Sequence, residues 1–105
     1  MKKILLIIAA LAVNAQAYAA DPVAGKEKSK VCAACHGENG VSQVPDFPKL
    51  AGQYNDYLVR TLKDYQSGAR KNAIMAGLVT SLKPPDIADI AAYYSSQPAA
   101  LQTKY

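Results

Sequence analysis

Cysteines stand at positions 32 and 35 and a histidine at 36, in the run Val31-Cys32-Ala33-Ala34-Cys35-His36-Gly37. They are the only cysteines and the only histidine of the chain. Three residues apart on a helical turn, two thiols lie on neighbouring faces and can add to the two vinyl groups of one porphyrin. The histidine that follows is then placed under the metal as an axial ligand. Cys-x-x-Cys-His is the spacing that attaches a c-type haem. Cys32 and Cys35 are read as the covalent thioether anchors of one haem c and His36 as a ligand of its iron, with the ring supplying redox chemistry and the chain supplying attachment, ligands and dielectric.

Other uses of these residues fit less well. A zinc site needs four ligands, usually Cys or His, and the chain offers three. A thioredoxin-like thiol pair sits between a strand and a helix, and no strand-like run precedes Val31. A disulfide across Cys32 and Cys35 would close a very small loop and stabilise little.

The N-terminus agrees with export. Met1-Lys2-Lys3 is a short basic start, Ile4 to Val13 an apolar core, and Ala17-Tyr18-Ala19 an A-x-A cleavage site. This pattern reads as a secretory signal peptide over residues 1–19, cut between Ala19 and Ala20, with a single domain over residues 20–105. A retained membrane anchor is the competing reading, but the apolar run is about ten residues against roughly 20 needed to span a bilayer. No cysteine stands directly after it to carry a lipid. The destination is the periplasm.

The remaining chain is about 86 residues, marginal as a domain unless a large apolar cofactor adds core material. Loss of Lys2 and Lys3 with the leader lowers the formal charge from +4 to +2. Two haem propionates bring that near neutral, which argues against nucleic acid as a partner.

Asp21-Pro22 is an N-cap followed by a residue suited to the first helical position, so a helix is expected over residues 22–33. Gly25 is out of place inside it unless another helix approaches closely. Residues 37–52, with a Gly37-Glu38-Asn39-Gly40 turn and Pro45 and Pro48, read as a long loop covering the haem pocket, Phe47 and Leu50 turned inward. Over residues 53–67, Tyr54, Tyr57, Leu58, Leu62 and Tyr65 share one helical face and are expected in the core, one tyrosine in reach of a propionate. Asp56, Arg60, Lys63 and Asp64 take the other face, with Asp56–Arg60 and Arg60–Asp64 as i,i+4 pairs. Gly68 is the expected C-cap. Residues 72–80 form a short helix bearing Met75. Lys83-Pro84-Pro85-Asp86 opens a last helix whose buried stripe is Ile87, Ile90, Ala91 and Tyr94 and which Pro98 stops. No alternating strand pattern or repeat is present. The fold class is all-α, three main helices plus one or two short ones.

Met75 is the only methionine after the leader and follows His36 by 39 residues, enough chain to pass round the ring. Thioether sulfur suits haem iron, and Met/His ligation raises the potential. The alternative for Met75 is a core residue filling a gap.

The chain from Asp21 to about Pro98 resembles the class I c-type cytochromes, notably small monohaem bacterial members and one half of the dihaem periplasmic cytochromes. The resemblance is carried by Cys32-Ala-Ala-Cys-His-Gly37, Phe47-Pro-Lys-Leu-Ala-Gly-Gln53, Tyr65-Gln-Ser-Gly-Ala-Arg70, Asn72-Ala-Ile-Met75 and Asp86-Ile-Ala-Asp-Ile-Ala-Ala-Tyr-Tyr94. It implies the cytochrome c fold, Cys32 and Cys35 as thioether anchors, and His36 and Met75 as proximal and distal ligands. It also implies that the Pro48 carbonyl accepts from His36 Nδ1, and that Gly25 and Tyr94 meet where the terminal helices cross. The family often starts its last helix with Ser or Asp; Lys83-Pro84-Pro85 departs from that.

With both axial positions filled by the chain, no coordination site is left for a substrate. The expectation is a one-electron carrier, not an enzyme, working between a quinol-oxidising complex or dehydrogenase and a terminal oxidase or reductase. It is expected to be monomeric and to dock only transiently on membrane proteins. Ala76 and Gly77 are expected beside an exposed haem edge, ringed by Lys49, Arg70, Lys71 and Lys83. The alternatives are a haem-binding electron-entry subunit of a larger redox enzyme and a haem enzyme or sensor with a labile distal ligand.

Overall fold

The computed structural model describes residues 19–99, and the expected leader otherwise lies outside the described residues. Five helices follow in order: α1 (Pro22–Lys28), α2 (Lys30–His36), α3 (Asn55–Ser67), α4 (Ala73–Val79) and α5 (Pro84–Ser95). Among the described residues there is no strand, and no helix is long and apolar enough to cross a membrane.

Where one N-terminal helix was expected there are two. Asp21 caps the first, its carboxylate accepting from Val23 N at 2.9 Å and Ala24 N at 3.3 Å. The break falls at Ser29, whose hydroxyl donates back to Lys26 O at 2.9 Å. Serine bonding to the preceding turn competes with the helical ladder and bends it. The chain restarts at Lys30 and stays helical to His36, three residues beyond the expected end, so the whole Cys-x-x-Cys-His run lies in α2.

α5 is the element on which the rest leans. α1 and α3 both pack against it, and α4 packs on α3. The expected stripe Ile87, Ile90, Ala91 and Tyr94 is buried, but so are Asp89 and Tyr93 on neighbouring faces. A helix covered by α1, α3 and the 37–52 loop buries more than one stripe. Its start is settled by Asp86, whose carboxylate accepts from Lys83 N at 2.9 Å ahead of Pro84 and Pro85.

Gly25 is where α1 crosses α5. A Cβ there would run into the Asp89 carbonyl and come within 2.9 Å of Tyr93 Cβ. The residue facing Gly25 is thus Tyr93; Tyr94 packs instead on Gly40, where an added Cβ would lie 2.8 Å from its ring. The crossing is fastened by charge as well. Lys28 Nζ bonds the Asp89 carboxylate at 2.6 Å and the Asp86 carboxylate at 3.0 Å, and Asp89 also accepts from Asp21 N at 2.8 Å. These carboxylates push the Lys28 ammonium pKa upward, Asp89 most.

On α3 the buried side is narrower than its periodicity predicts. Leu58 is buried, with Val59 and Leu62 packed on the core beside it, but Tyr54 is 81 % exposed. Tyr54 is the N-cap in extended conformation, so helical spacing does not apply to it. Of the two expected i,i+4 pairs, Arg60–Asp64 is formed at 3.7 Å. Gly68 closes the helix in the left-handed region, φ 82°.

Candidate cofactor site

α2, the 37–52 loop, α3, α4 and α5 enclose one cleft of about 380 Å³. α2 contributes Val31, Cys32, Cys35 and His36; the loop, Phe47, Pro48 and Leu50; α3, Leu58, Leu62 and Tyr65; α4, Ile74, Met75, Leu78 and Val79; α5, Ile90, Ala91 and Tyr94. Cys32, Cys35, His36, Pro48 and Met75, scattered over 44 positions of sequence, therefore share one wall-lined space. Phe47 and Leu50 face inward as expected.

His36 is 7 % exposed, and its Nδ1 lies 2.8 Å from the Pro48 carbonyl. A carbonyl only accepts, so Nδ1 carries a proton in this contact and donates it. The loop that presents Pro48 is closed on itself. Gly40 O accepts from Leu50 N at 2.8 Å and Ala51 N at 3.1 Å, and Gly52 N donates to Tyr94 O at 2.9 Å. Gly40 can lie against α5 only because it lacks a Cβ.

Both thiols are free. Burial pushes the Cys32 thiol pKa up, and the Tyr94 hydroxyl works against that rise. Among the described residues no group of three or more His, Cys, Asp and Glu side chains gathers as an ordinary metal site would.

Met75 sits in the first turn of α4. Asn72 Oδ1 caps that turn, accepting from Ile74 N and Met75 N at 3.0 Å each. The far end is held from α3: Gln66 Nε2 donates to Val79 O at 2.8 Å and Leu82 O at 2.7 Å. Ala76 and Gly77, expected at the edge, are not among the cleft's lining residues. α4 turns Ile74, Met75 and Leu78 inward, at i, i+1 and i+4, which leaves those two positions on other faces.

Of the expected basic rim, Lys49 and Arg70 line the cleft, and Lys71 and Lys83 are exposed residues outside its lining. Arg70 Nη1 donates to Tyr57 Oη at 3.3 Å, and its guanidinium lies 5.2 Å from the centre of the Tyr65 ring. The cation holds the Tyr57 phenol below its usual range. Sequence reading missed this arrangement. Its only trace is the left-handed turn at Gly68, which brings the chain back along α3.

Two thiols, an imidazole nitrogen, a thioether and apolar walls facing one cleft fit a haem. The cytochrome c family model matches residues 22–97. This chain is a cytochrome c. It is 46 % identical over 99 residues to cytochrome c4 of Pseudomonas aeruginosa, covering 92 % of this chain and 49 % of that protein. It is 46 % identical over 82 residues to cytochrome c-554(548) of Halomonas halodenitrificans, covering 75 % of this chain and 99 % of the relative. The crystal structure of reduced cytochrome c4 from Pseudomonas stutzeri superposes with a TM-score of 0.73 at 45 % identity, over 76 % of this chain and 47 % of that one. The chain thus spans about half the length of its cytochrome c4 relatives and nearly all of the shorter one. It is a class I c-type cytochrome with one covalently bound haem c.

Proposed function

We propose that Cys32 and Cys35 would anchor the haem by thioether bonds, that His36 Nε2 and Met75 Sδ would ligate its iron, and that the Pro48 carbonyl fixes the His36 ring. The observation that carries this reading is His36: its Nδ1 is committed to Pro48 at 2.8 Å while the ring lines the cleft that Met75 and both thiols also line. A bond of that kind sets the tautomer and makes the other nitrogen a better donor. When bound, the haem supplies a one-electron Fe(III)/Fe(II) couple, and the thioether of Met75 biases it toward the reduced state. Arg70 and Tyr57 at the rim offer a guanidinium and a hydroxyl to a propionate carboxylate.

With His36 and Met75 both ligating, no position is left for a substrate, so the cytochrome carries electrons without transforming a molecule. We place it in the periplasm, its leader removed after Ala19, passing electrons from a quinol-oxidising complex or dehydrogenase to a terminal oxidase or reductase. Lys49 and Arg70 would steer an acidic partner, so exchange rates should fall with rising ionic strength.

The test is spectroscopic. The ferric holoprotein should show the near-infrared charge-transfer band of methionine-bound iron and bind carbon monoxide slowly when reduced. Met75→Ala should lose the band and bind carbon monoxide rapidly. A variant indistinguishable from the parent would remove Met75 from the coordination sphere and with it the carrier reading.

A further inference from the structure

The last helix carries two adjacent buried tyrosines whose hydroxyls differ in their surroundings. Tyr93 Oη donates to Glu38 O at 2.8 Å. Tyr94 is 1 % exposed, and its hydroxyl has no hydrogen-bond partner among the described residues. Buried hydroxyls are seldom left so, because losing water without a replacement is unfavourable. The side chain is closely packed: Gly40 lies against its ring, the Tyr93 ring stands 5.1 Å away, and the Tyr94 carbonyl is bonded to Gly52 N.

The orphan hydroxyl belongs to a residue that lines the haem cleft, and Cys32, which lines it too, packs on the core cluster that contains Tyr94. Three polar groups act on it, the Cys32 thiol first, then the Ser29 and Tyr93 hydroxyls, and Tyr93 is already committed to Glu38 O. Ser29 has already directed its own proton to Lys26 O. Burial pushes the Tyr94 phenol up to about 12, so it remains a donor throughout the physiological range. The free thiol of Cys32 does not meet hydrogen-bond geometry with it. Attachment to a porphyrin fixes the side-chain torsion that decides whether the sulfur presents a lone pair to the hydroxyl.

We propose that Tyr94 Oη donates a hydrogen bond to Cys32 Sγ once that sulfur is part of a thioether, making Tyr94 a positioning residue for one of the two attachments. The inference rests on the anchor role proposed above for Cys32. Thioether sulfur is a weak acceptor, but in a buried site with no competing water a weak acceptor suffices. The bond draws electron density from the sulfur, and so from the ring, which favours the reduced iron. It also makes the two anchors chemically unequal, since the unpartnered hydroxyl is acted on by Cys32 and not by Cys35.

The test uses the reduced, diamagnetic holoprotein. Proton NMR should show a slowly exchanging Tyr94 hydroxyl with through-space contacts to the Cys32 β protons and the adjoining thioether bridge. Tyr94→Phe, which keeps the ring and removes one oxygen, should lower the reduction potential and shift the Cys32 carbon–sulfur stretch while that of Cys35 stays in place. Ser29→Ala should do neither. Contacts to Ser29 or water alone, an unmoved potential and stretch in Tyr94→Phe, or a Ser29→Ala variant that reproduces its effects would overturn the proposal. The alkaline pyridine spectrum of the parent counts thioether bonds independently. Two bonds with a failed contact removes this inference alone; the absence of thioether bonds removes the anchor reading as well.

Discussion

α1 and α4 are each seven residues long, too short to hold together in isolation, yet they are secured in opposite ways. α1 is pressed backbone to backbone onto α5 at Gly25 and tied there by Lys28 and by the Asp21 amide. α4 buries only Val79, packs on α3, and is held across by one side chain, Gln66 at its far end, while Asn72 caps its own first turn. A contact with no room for another atom leaves an element one position, whereas a light packing and one polar tether leave it more freedom. α2, which carries Cys32, Cys35 and His36, follows the fixed α1 directly across Ser29, and the Pro48 carbonyl holds His36 at its far end. The half carrying Met75 depends on a few bonds and, on the proposed ligation, on the iron itself.

Breaking the rigid side should have the largest effect. Gly25→Val forces α1 off the Asp89 carbonyl and should destabilise the holoprotein by on the order of 3 kcal/mol, read as a lowered denaturant midpoint. Gln66→Ala sharpens the contrast from the other side. It removes the donor to Val79 O and Leu82 O, and should lower global stability by only about 1–2 kcal/mol. Its distinctive effect should be earlier loss of the methionine–iron band on heating, well before helical circular dichroism falls. If the band and the helical signal melt together, α4 is no looser than α1.

Asn72→Ala removes the cap of α4 and should remove about 1 kcal/mol with the same early loss of the band, smaller in extent. The smallest effect is electrostatic. Asp86 is held below the usual carboxylate range first by the Lys83 amide and then by Lys28. Its folded pKa lies under its unfolded one, so its stabilisation is present above about pH 4 and is lost as pH falls through the depressed value. The melting-temperature gap between the parent and Asp86→Asn should be constant from neutral pH to about pH 5, then close in more acid solution. Added salt should narrow it at neutral pH, since the pair with Lys28 is partly exposed.

Local signals in the sequence reached far into both halves. The Cys-x-x-Cys-His run, the Asn72–Met75 turn, Gly68 and the Pro84-Pro85 start each declare themselves within four or five residues, and each was legible for that reason. The break at Ser29 was not, because a serine in a helical pattern gives no sign whether its hydroxyl will turn back on the preceding carbonyl. Asp89, three positions past Asp86, carries no signal in the sequence that sets it apart from a solvated acidic residue near a helix start. Its burial depends on Lys28, 61 positions away, and no periodicity encodes that pairing. The choice of Tyr93 over Tyr94 as the neighbour of Gly25 is a matter of roughly 100° of helical rotation. That angle is set by how α1 and the 37–52 loop share α5. Tyr54 failed for a different reason: a spacing argument holds only inside the helix, and Tyr54 is its cap.

The two hydrogen bonds that the Gly40 carbonyl accepts, from Leu50 N and Ala51 N, have a consequence for rate. They close the loop into a small ring of fixed shape, so the Pro48 oxygen stands in place whatever the charge on the neighbouring imidazole. An electron carrier is slowed by every atom that must shift when its valence changes. On the proposed ligation, a seat cast in advance keeps that nuclear rearrangement low on the histidine side.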